Sequence, residues 1–359
     1  MAATGRSVKV TGVKQIVKRE LIPFTRQTAS MLNAGMSILV AIYTLEEQCE
    51  HPGFKAVLKS LRESIEGGAP VSEGLRKFPR IFDEMYVNMV AAGEKSGQFA
   101  GVLKRLAAML DSSARLVRKV KSAMTYPTVI LGMALVIAAG LITFVVPVFA
   151  EMFEGFGKAL PGPTQFLVDV STFVRTRWYV VIGVIGLSIF VFKQWVTTPV
   201  GRLKFDQFKL KLPIFGPLLQ KVAVSRFCRL FAQMLTSGVP ILDSMEIVGK
   251  SLGNKVMEEA ILSARSSVEQ GNLLSVALEG KACLPILMIR MIAAGEKSGR
   301  VDEMLDSVAN TYDDEIESLL ATLTSLMEPF LMVFLGVVIG GIVIAMFLPI
   351  FKLGSIVGG

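Results

Sequence analysis

The heptapeptide AAGEKSG occurs twice, from Ala91 to Gly97 and from Ala293 to Gly299. Its Gly-Glu-Lys-Ser-Gly core has the residue types of a phosphate loop, in which backbone N–H groups cradle phosphate oxygens and a lysine reaches the terminal phosphates. The spacing argues against that chemistry. In GxxxxGK[ST] a first glycine leads by four more residues, and a hydrophobic strand precedes it. Here Gly93 and Gly295 stand three residues too close, and the flanks MVAAGEKSG and MIAAGEKSG read as helix ends. The pattern predicts a turn between two helices, with Gly93 and Gly295 at the break or C-cap and Ser96 and Ser298 capping the next helix. A turn that carries two charges in both copies is also a candidate partner-contact corner. Its residues are Gly93, Glu94, Lys95 and Gly97 in one copy and Gly295, Glu296, Lys297 and Gly299 in the other.

Other chemistry is scarce. Asp313, Asp314, Glu315 and Glu317 cluster ahead of the last apolar segment. A metal site or proton path would use such groups, but a solvated helix face is the simpler expectation. The single histidine, His51, precedes a Pro-Gly pair and reads as a loop residue, and Cys49, Cys228 and Cys283 have neither metal-ligand nor disulfide-framework spacing. No nucleophile, base and orienting group fall into a catalytic pattern. The chain is therefore expected to be no enzyme and to hold no cofactor or metal.

These residues are set in an apolar chain. Of 359 residues 52% are hydrophobic and 19% charged, with mean hydropathy +0.55; soluble domains carry about 25% charged residues. A membrane span needs about 20 apolar residues. Residues 128–150 and 329–351 contain no charge. Residues 178–201 form a weaker third candidate, with Trp178, Tyr179 and Trp195 where an interfacial aromatic belt would sit and Lys193 placed to snorkel. Arg115, Arg118, Lys119 and Lys121 precede the first span, and Lys193, Arg202, Lys204, Lys209 and Lys211 follow the second. The positive-inside rule then places the two long polar regions in the cytoplasm. The expected organisation is a short basic leader at 1–20, a first cytoplasmic domain at 21–127, a span at 128–150 and a periplasmic loop at 151–177. A second span at 178–201, a second cytoplasmic domain at 202–328, a third span at 329–351 and a periplasmic tail at 352–359 complete it. The leader contains no apolar run of signal-peptide type, so internal spans would drive insertion.

The chain repeats itself. Besides the heptapeptide, Arg26, Ala29, Met31, Leu32, Gly35, Ile38 and Leu39 recur as Arg229, Ala232, Met234, Leu235, Gly238, Ile241 and Leu242. Tyr126-Pro127 faces Glu328-Pro329, and Pro147-Val148-Phe149 faces Pro349-Ile350-Phe351. Each copy is a polar domain followed by a span, and the middle span lets both copies insert in one orientation, so a pseudo-two-fold axis along the membrane normal is expected. Phe227, Leu230, Phe231, Met234 and Leu235 have helical spacing, stopped by Gly238-Val239-Pro240, with Asp243 or Ser244 to cap the next helix. Gly35, Gly238, Pro240, Pro127 and Pro329 are therefore structural candidates. The fold class is an all-α integral membrane protein with two repeated bundles and three spans. Pro147 and Pro349 should kink the first and third spans, and Gly336 and Gly340 form a GxxxG packing signature.

Several motifs together resemble a known family. They are the paired GEKSG turns, LTSGVP (Leu235 to Pro240), LPIFGPLL (Leu212 to Leu219), ALPGPTQFL (Ala159 to Leu167), AMTYP (Ala123 to Pro127) and LMEP (Leu326 to Pro329). The chain resembles the inner-membrane platform protein of type II secretion and type IV pilus machines from about Leu21 to Phe351. The resemblance implies six-helix bundles, three spans and a bacterial inner-membrane scaffold without catalytic activity. It implies a cytoplasmic hexameric assembly ATPase, pilin or pseudopilin subunits and other inner-membrane components as partners. Oligomeric state stays open, although the GxxxG pair and the small-residue spans suit a homo-oligomer such as a dimer. Pilus extension, DNA uptake and protein secretion stay open. The competing class is a transporter for a small solute, which would place charged or polar groups inside the spans. Nucleic-acid binding rests only on the net charge of +8 and lacks aromatic stacking platforms, with two Trp and five Tyr. The first polar region, 1–128, has 19 basic and 11 acidic residues and the second, 196–328, has 14 and 16, so different partners are expected for the two copies. Basic residues of the first also suit anionic headgroups, at about 1 kcal/mol each near the surface.

Overall fold

The computed structural model describes residues 12–154, 160–213 and 215–357. Most of the leader, Ala159 of the ALPGPTQFL stretch and Ile214 of LPIFGPLL lie outside the described residues. Among those described, every regular element is a helix. The chain divides into two units, one of Met1–Val117 with Asp206–Ile316 and one of Arg118–Phe205 with Glu317–Gly359.

In the first unit, α1 (Val13–Gln15) and a π-helical turn (Ile16–Glu20) lead into α2 (Leu21–Asn33). Its buried residues Leu21, Phe24, Thr25, Thr28 and Ala29 keep the three-four spacing of an inward stripe. Gly35, at φ +85°, ends it. The Met36 N–H then donates to the Met31 carbonyl at 3.1 Å, which closes the C-terminus as a Schellman turn. Ser37 caps α3 (Ile38–Gln48) by accepting from the Val40 N–H. His51 is a cap as well: its Nδ1 accepts from the Phe54 N–H at the start of α4 (Pro52–Glu66), where Pro52 occupies the first turn. Then follow α5 (Val71–Arg76), α6 (Glu84–Ser96) and α7 (Phe99–Gly140). The core is aromatic. Phe24 stands edge-on to Phe54 at 5.5 Å between ring centroids, and Phe82 lies 5.1 Å from Tyr86, whose hydroxyl is 3.0 Å from Thr25 Oγ1.

The second bundle repeats this plan with α11 (Phe215–Thr236), α12 (Ile241–Ser251), α13 (Lys255–Glu269), α14 (Leu274–Leu278), α15 (Ile286–Ser298) and α16 (Val301–Val357). Each copy is thus six helices, counting the starts of α7 and α16. Gly238, at φ +80°, is the counterpart of Gly35, and the Val239 N–H reaches the Met234 carbonyl at 3.0 Å. The cap of α12 differs from expectation. Pro240 holds the N-cap position, and Asp243 and Ser244 lie inside the first turns, where Asp243 favours the positive end of the helix dipole. The buried residues of both bundles form one contiguous apolar core.

The two bundles meet through unlike faces. α6 of the first packs against α12 of the second, and Arg105 on α7 donates to the Thr236 carbonyl at 3.0 Å. The repeat-related pair, α3 with α15, makes no comparable packing. A two-fold relation would pair both sets alike, so the expected pseudo-two-fold gives way to a head-to-tail contact.

In the second unit α7 continues through Pro127 without ending, then a π-helical turn (Leu141–Val145) leads to α8 (Val146–Glu154). Pro147 lacks an N–H for the preceding turn, and the widened turn ahead of it accommodates that loss. α9 (Gly162–Thr197) is broken at Arg177 (φ −122°, ψ 29°), and α10 (Pro199–Lys211) follows it. Two stretches, Phe99–Met152 and Val301–Leu348, are long and apolar enough to cross a membrane. The halves of α9, bent by 77°, make a third if counted as one span. Ala138, Val146, Ile342 and Met346 bury one another, and Thr164 Oγ1 donates to the Ala345 carbonyl. A Cβ on Gly336 or Gly340 would meet nothing, so the GxxxG pair is not used inside the chain.

Phe24→Ala removes a fully enclosed ring from the first bundle and should cost about 3–5 kcal/mol. A denaturant titration of the detergent-solubilised chain would show a lowered midpoint with an unchanged slope.

Candidate functional site

The AAGEKSG segments are not the turns themselves but the last helical turn before them. α6 and α15 run through Ser96 and Ser298 and end at Gly97 and Gly299, both at φ +70°. That left-handed conformation is the C-cap that glycine supplies without steric cost. Gly93 and Gly295 sit inside the helices for a different reason. A Cβ on Gly93 would stand 3.0 Å from Val102 Cβ, and one on Gly295 would stand 2.8 Å from Val301 Cα. These glycines let the starts of α7 and α16 lie directly on the preceding helix. Ser96 and Ser298 cap nothing that follows; their hydroxyls donate back to the carbonyls of Gly93 and of Ala294 and Gly295.

The glutamates act inward. Glu94 accepts from the N–H groups of Val71 and Ser72, the latter at 3.1 Å, and from the Ser72 hydroxyl. Glu296 accepts from the Leu274 N–H at 2.6 Å, the Ser275 N–H at 3.2 Å and the Ser275 hydroxyl. Each carboxylate therefore caps the N-terminus of a short helix, α5 or α14, from a distant part of the chain. Pro70 and Leu273, the residues at those N-cap positions, offer no side-chain acceptor. The expectation that the turn charges serve a partner thus narrows to the lysines. Lys95 and Lys297 are both exposed.

The structure brings some of the candidate residues together. A groove of about 680 Å³ runs between α6 and α12. Glu84, Asn88, Lys95 and Ser96 line it from the first copy, and Gly238, Pro240, Asp243 and Glu246 from the second. Lys95 of one turn thus meets Gly238 and Pro240 of the other copy's helix break. Its floor is polar. Glu246 lies 2.7 Å from Lys250 and 3.5 Å from Arg265, and its carboxyl is held below the ordinary range by the Lys250 hydrogen bond and charge. Lys250 is raised in return by Glu246, with Glu84 of the first copy contributing. Such a groove fits a polar peptide segment rather than a buried small molecule. Lys297 and Gly35 are not brought together in this way.

The acidic cluster before the last span is a set of ion pairs. Arg229 meets Asp313 at 2.6 Å, with Ser225 Oγ donating to the same carboxylate, Lys221 pairs with Glu315, and Lys119 pairs with Glu317. Asp314 is exposed and Glu317 is 54% exposed, so the face is solvated as expected while the other carboxylates reach neighbouring helices. Among the described residues no three His, Cys, Asp or Glu are arranged to hold a metal ion. The Arg229–Asp313 pair has a counterpart in Arg26–Asp111 of the first copy. The repeat marked the arginines, but the aspartates were missed, because Asp111 stands alone and Asp313 hides in an acidic run. Their separation of 202 residues, the same as that of the two heptapeptides, was the available signal. Lys119, expected at the headgroups, is instead in one of these pairs. Asp306 is different in kind: one of its oxygens is buried without a partner, and burial pushes its carboxyl up, with Arg229 opposing and Asp302 adding.

The sequence is similar to those of known proteins. The family described as "Type II secretion system (T2SS), protein F" matches residues 24–147 and 227–349, one match for each repeat. The chain is 39% identical over 348 residues to the type IV pilus assembly protein PilC of Myxococcus xanthus, covering 97% of this chain and 84% of that one. It is 37% identical to the protein of the same name from Pseudomonas aeruginosa, over 96% of this chain and 92% of that one. It is 33% identical to type II secretion system protein F of Vibrio cholerae, over 99% and 87% of the two chains.

Two outcomes check the site geometry. Glu94→Ala and Glu296→Ala should each lower stability by about 0.5–2 kcal/mol, the range of a lost cap, whereas Lys95→Ala should leave the unfolding midpoint unchanged. A carboxyl raised by folding binds protons more tightly in the native state, so its effect on stability turns unfavourable as pH rises above the unfolded value. Asp306→Asn should therefore raise the melting temperature at pH 8 and leave it nearly unchanged at pH 3, as read by thermal scans at both values.

Proposed function

The chain belongs to the type II secretion system protein F family, and from that premise we propose that it is the inner-membrane platform of a pilus or secretion machine, coupling a cytoplasmic assembly ATPase to insertion of pilin or pseudopilin subunits. The observation that carries the reading is the continuity of α7 and α16. Each begins inside a bundle and reaches into an apolar stretch with no intervening break, through 42 and 57 residues. A helix that passes unbroken from a polar bundle to an apolar segment transmits displacement or rotation of one end to the other. A scaffold that converts motor motion into lift needs that property and needs no reacting group. The carboxylates and cysteines support the same non-enzymatic reading: Asp313, Glu315 and Glu317 are ion-paired, and Cys228 is buried with its thiol pushed up.

The Lys and Arg distribution supports both bundles lying in the cytoplasm. There the polar groove beside Lys95 and the opposite charge balance of the two copies fit a motor that touches the copies differently. In this reading pilin or pseudopilin subunits approach from the membrane side.

A clean deletion in the native host tests this, scored in parallel for surface fibres and for the secreted proteome. Loss of fibres, or loss of specific exoproteins, with the corresponding pilin or pseudopilin retained in the inner membrane, is expected. Lys95→Glu should reproduce the loss at normal protein level. Normal fibres together with a normal exoproteome in the deletion strain would reject the platform reading.

A further inference from the structure

α9 is too long to be one span. Its 36 residues would run about 54 Å as a straight helix, against about 30 Å for the hydrocarbon core of a bilayer. It breaks at Arg177, and the halves Gly162–Arg177 and Ile182–Thr197 meet at 77°. The second half is apolar all round, with Ile182, Val184, Phe190 and Phe192 exposed on different sides, which is the pattern of a span. The first half has three unlike faces. Thr164 and Ser171 are buried, and Leu167 and Val168 pack on the cluster of Ala138, Val146, Ile342 and Met346. Gln165, Asp169, Thr172 and Thr176 form an exposed polar stripe, in which Gln165 Nε2 donates to Asp169 Oδ1 at 2.9 Å. Phe166 and Phe173, 67% and 49% exposed, form an apolar stripe with half-buried Val170 between them. Protein on one side, a polar face on another and an exposed apolar face on the third suit a helix lying in a membrane interface. The depth agrees. Thr164 Oγ1 donates to the Ala345 carbonyl. Ala345 stands six residues before the end of the charge-free stretch 329–351, which is about 9 Å along the helix.

We propose that Gly162–Arg177 lies flat in the leaflet at the C-terminal ends of the two charge-free spans, with lipid as its partner. Phe166, Val170 and Phe173 then rest among acyl chains, and Gln165, Asp169 and Thr172 turn toward headgroups and water. The apolar stripe lies beside the exposed Phe144 and Ile344 of the spans, so it continues a surface that already faces lipid. Arg175 and Arg177, both exposed at the break, stand where guanidinium groups reach headgroup phosphates. Most of the segment expected as a loop at 151–177 is in this arrangement a shallow membrane element, and 182–197 alone makes the crossing. The inference rests on the spans and on the bend of α9, and it stands whether or not the platform role does.

Fluorescence quenching in vesicles is the test. The full-length chain carries Cys49→Ser and Cys283→Ser, with the buried Cys228 left in place. A bimane label is attached at Phe166→Cys, Phe173→Cys, Gln165→Cys or Thr172→Cys, and each chain is reconstituted into phosphatidylethanolamine–phosphatidylglycerol vesicles. Lipids brominated near the headgroup end of the acyl chain should quench the labels at Phe166 and Phe173 several-fold more than those at Gln165 and Thr172. Iodide, present on both sides of the bilayer, should show the reverse preference. A loop in water would give strong iodide quenching at all four positions. A segment crossing the bilayer would be quenched most by bromine near the methyl end of the chain. A protein covering the stripe would keep both quenchers from Phe166 and Phe173. Each of these three outcomes would overturn the proposal.

Discussion

Much of the bundle architecture depends on one carboxylate clamp made twice. α5 and α14 are six and five residues long, well below the length at which a helix sustains itself in water. Their first N–H groups need acceptors, and neither helix starts with a residue that could supply one. Glu94 and Glu296 supply them from the ends of α6 and α15, so the short helix and the long one are fixed to each other at the point where the chain turns. Three residues upstream of the serine, Gly93 and Gly295 let the next helix lie close; one residue downstream, Gly97 and Gly299 reverse the chain. Three adjacent requirements, a carboxylate facing inward, a close approach and a left-handed cap, thus account for Gly, Glu and the last Gly of GEKSG.

The lysine is the residue of the heptapeptide that the fold does not use. It is exposed in both copies, while the other charge is consumed by the clamp. The helices that carry it diverge on their surfaces. In the first copy Lys95 lines a groove with Asp243 and Glu246, and α6 begins with Glu84; in the second, α15 begins with the exposed Ile286 and Leu287.

The sequence made the helix class, the duplication and the two charge-free spans legible because each has a strong one-dimensional signature: period, identity and hydropathy. It misplaced the caps. AAGEKSG was read as a break at its first glycine, since a glycine after a helical run usually ends it, but Gly93 stays helical because Val102 needs the space its missing side chain leaves. Pro127, just ahead of the apolar stretch 128–150, lies inside α7, so the helix extends well beyond its apolar part. The Arg26–Asp111 and Arg229–Asp313 pairs join residues more than eighty positions apart, which no local window couples. The packing of unlike faces was equally out of reach. Two identical repeats are compatible with a two-fold or with a screw-like step, and only the three-dimensional contact of α6 with α12 distinguishes them.

That distinction limits how copies can assemble. An isologous pair closes on itself and stops, whereas unlike faces propagate until the rotation returns to its start. The repeats are not left interchangeable, because Glu84 of α6 stands where α15 has Ile286, and Lys250 of α12 where α3 has Glu47. Two repeats with identical faces would carry no information about which contact is internal, and the chain would be free to pair with itself out of register. The divergence of these few surface positions removes that ambiguity while the clamp residues keep both bundles the same.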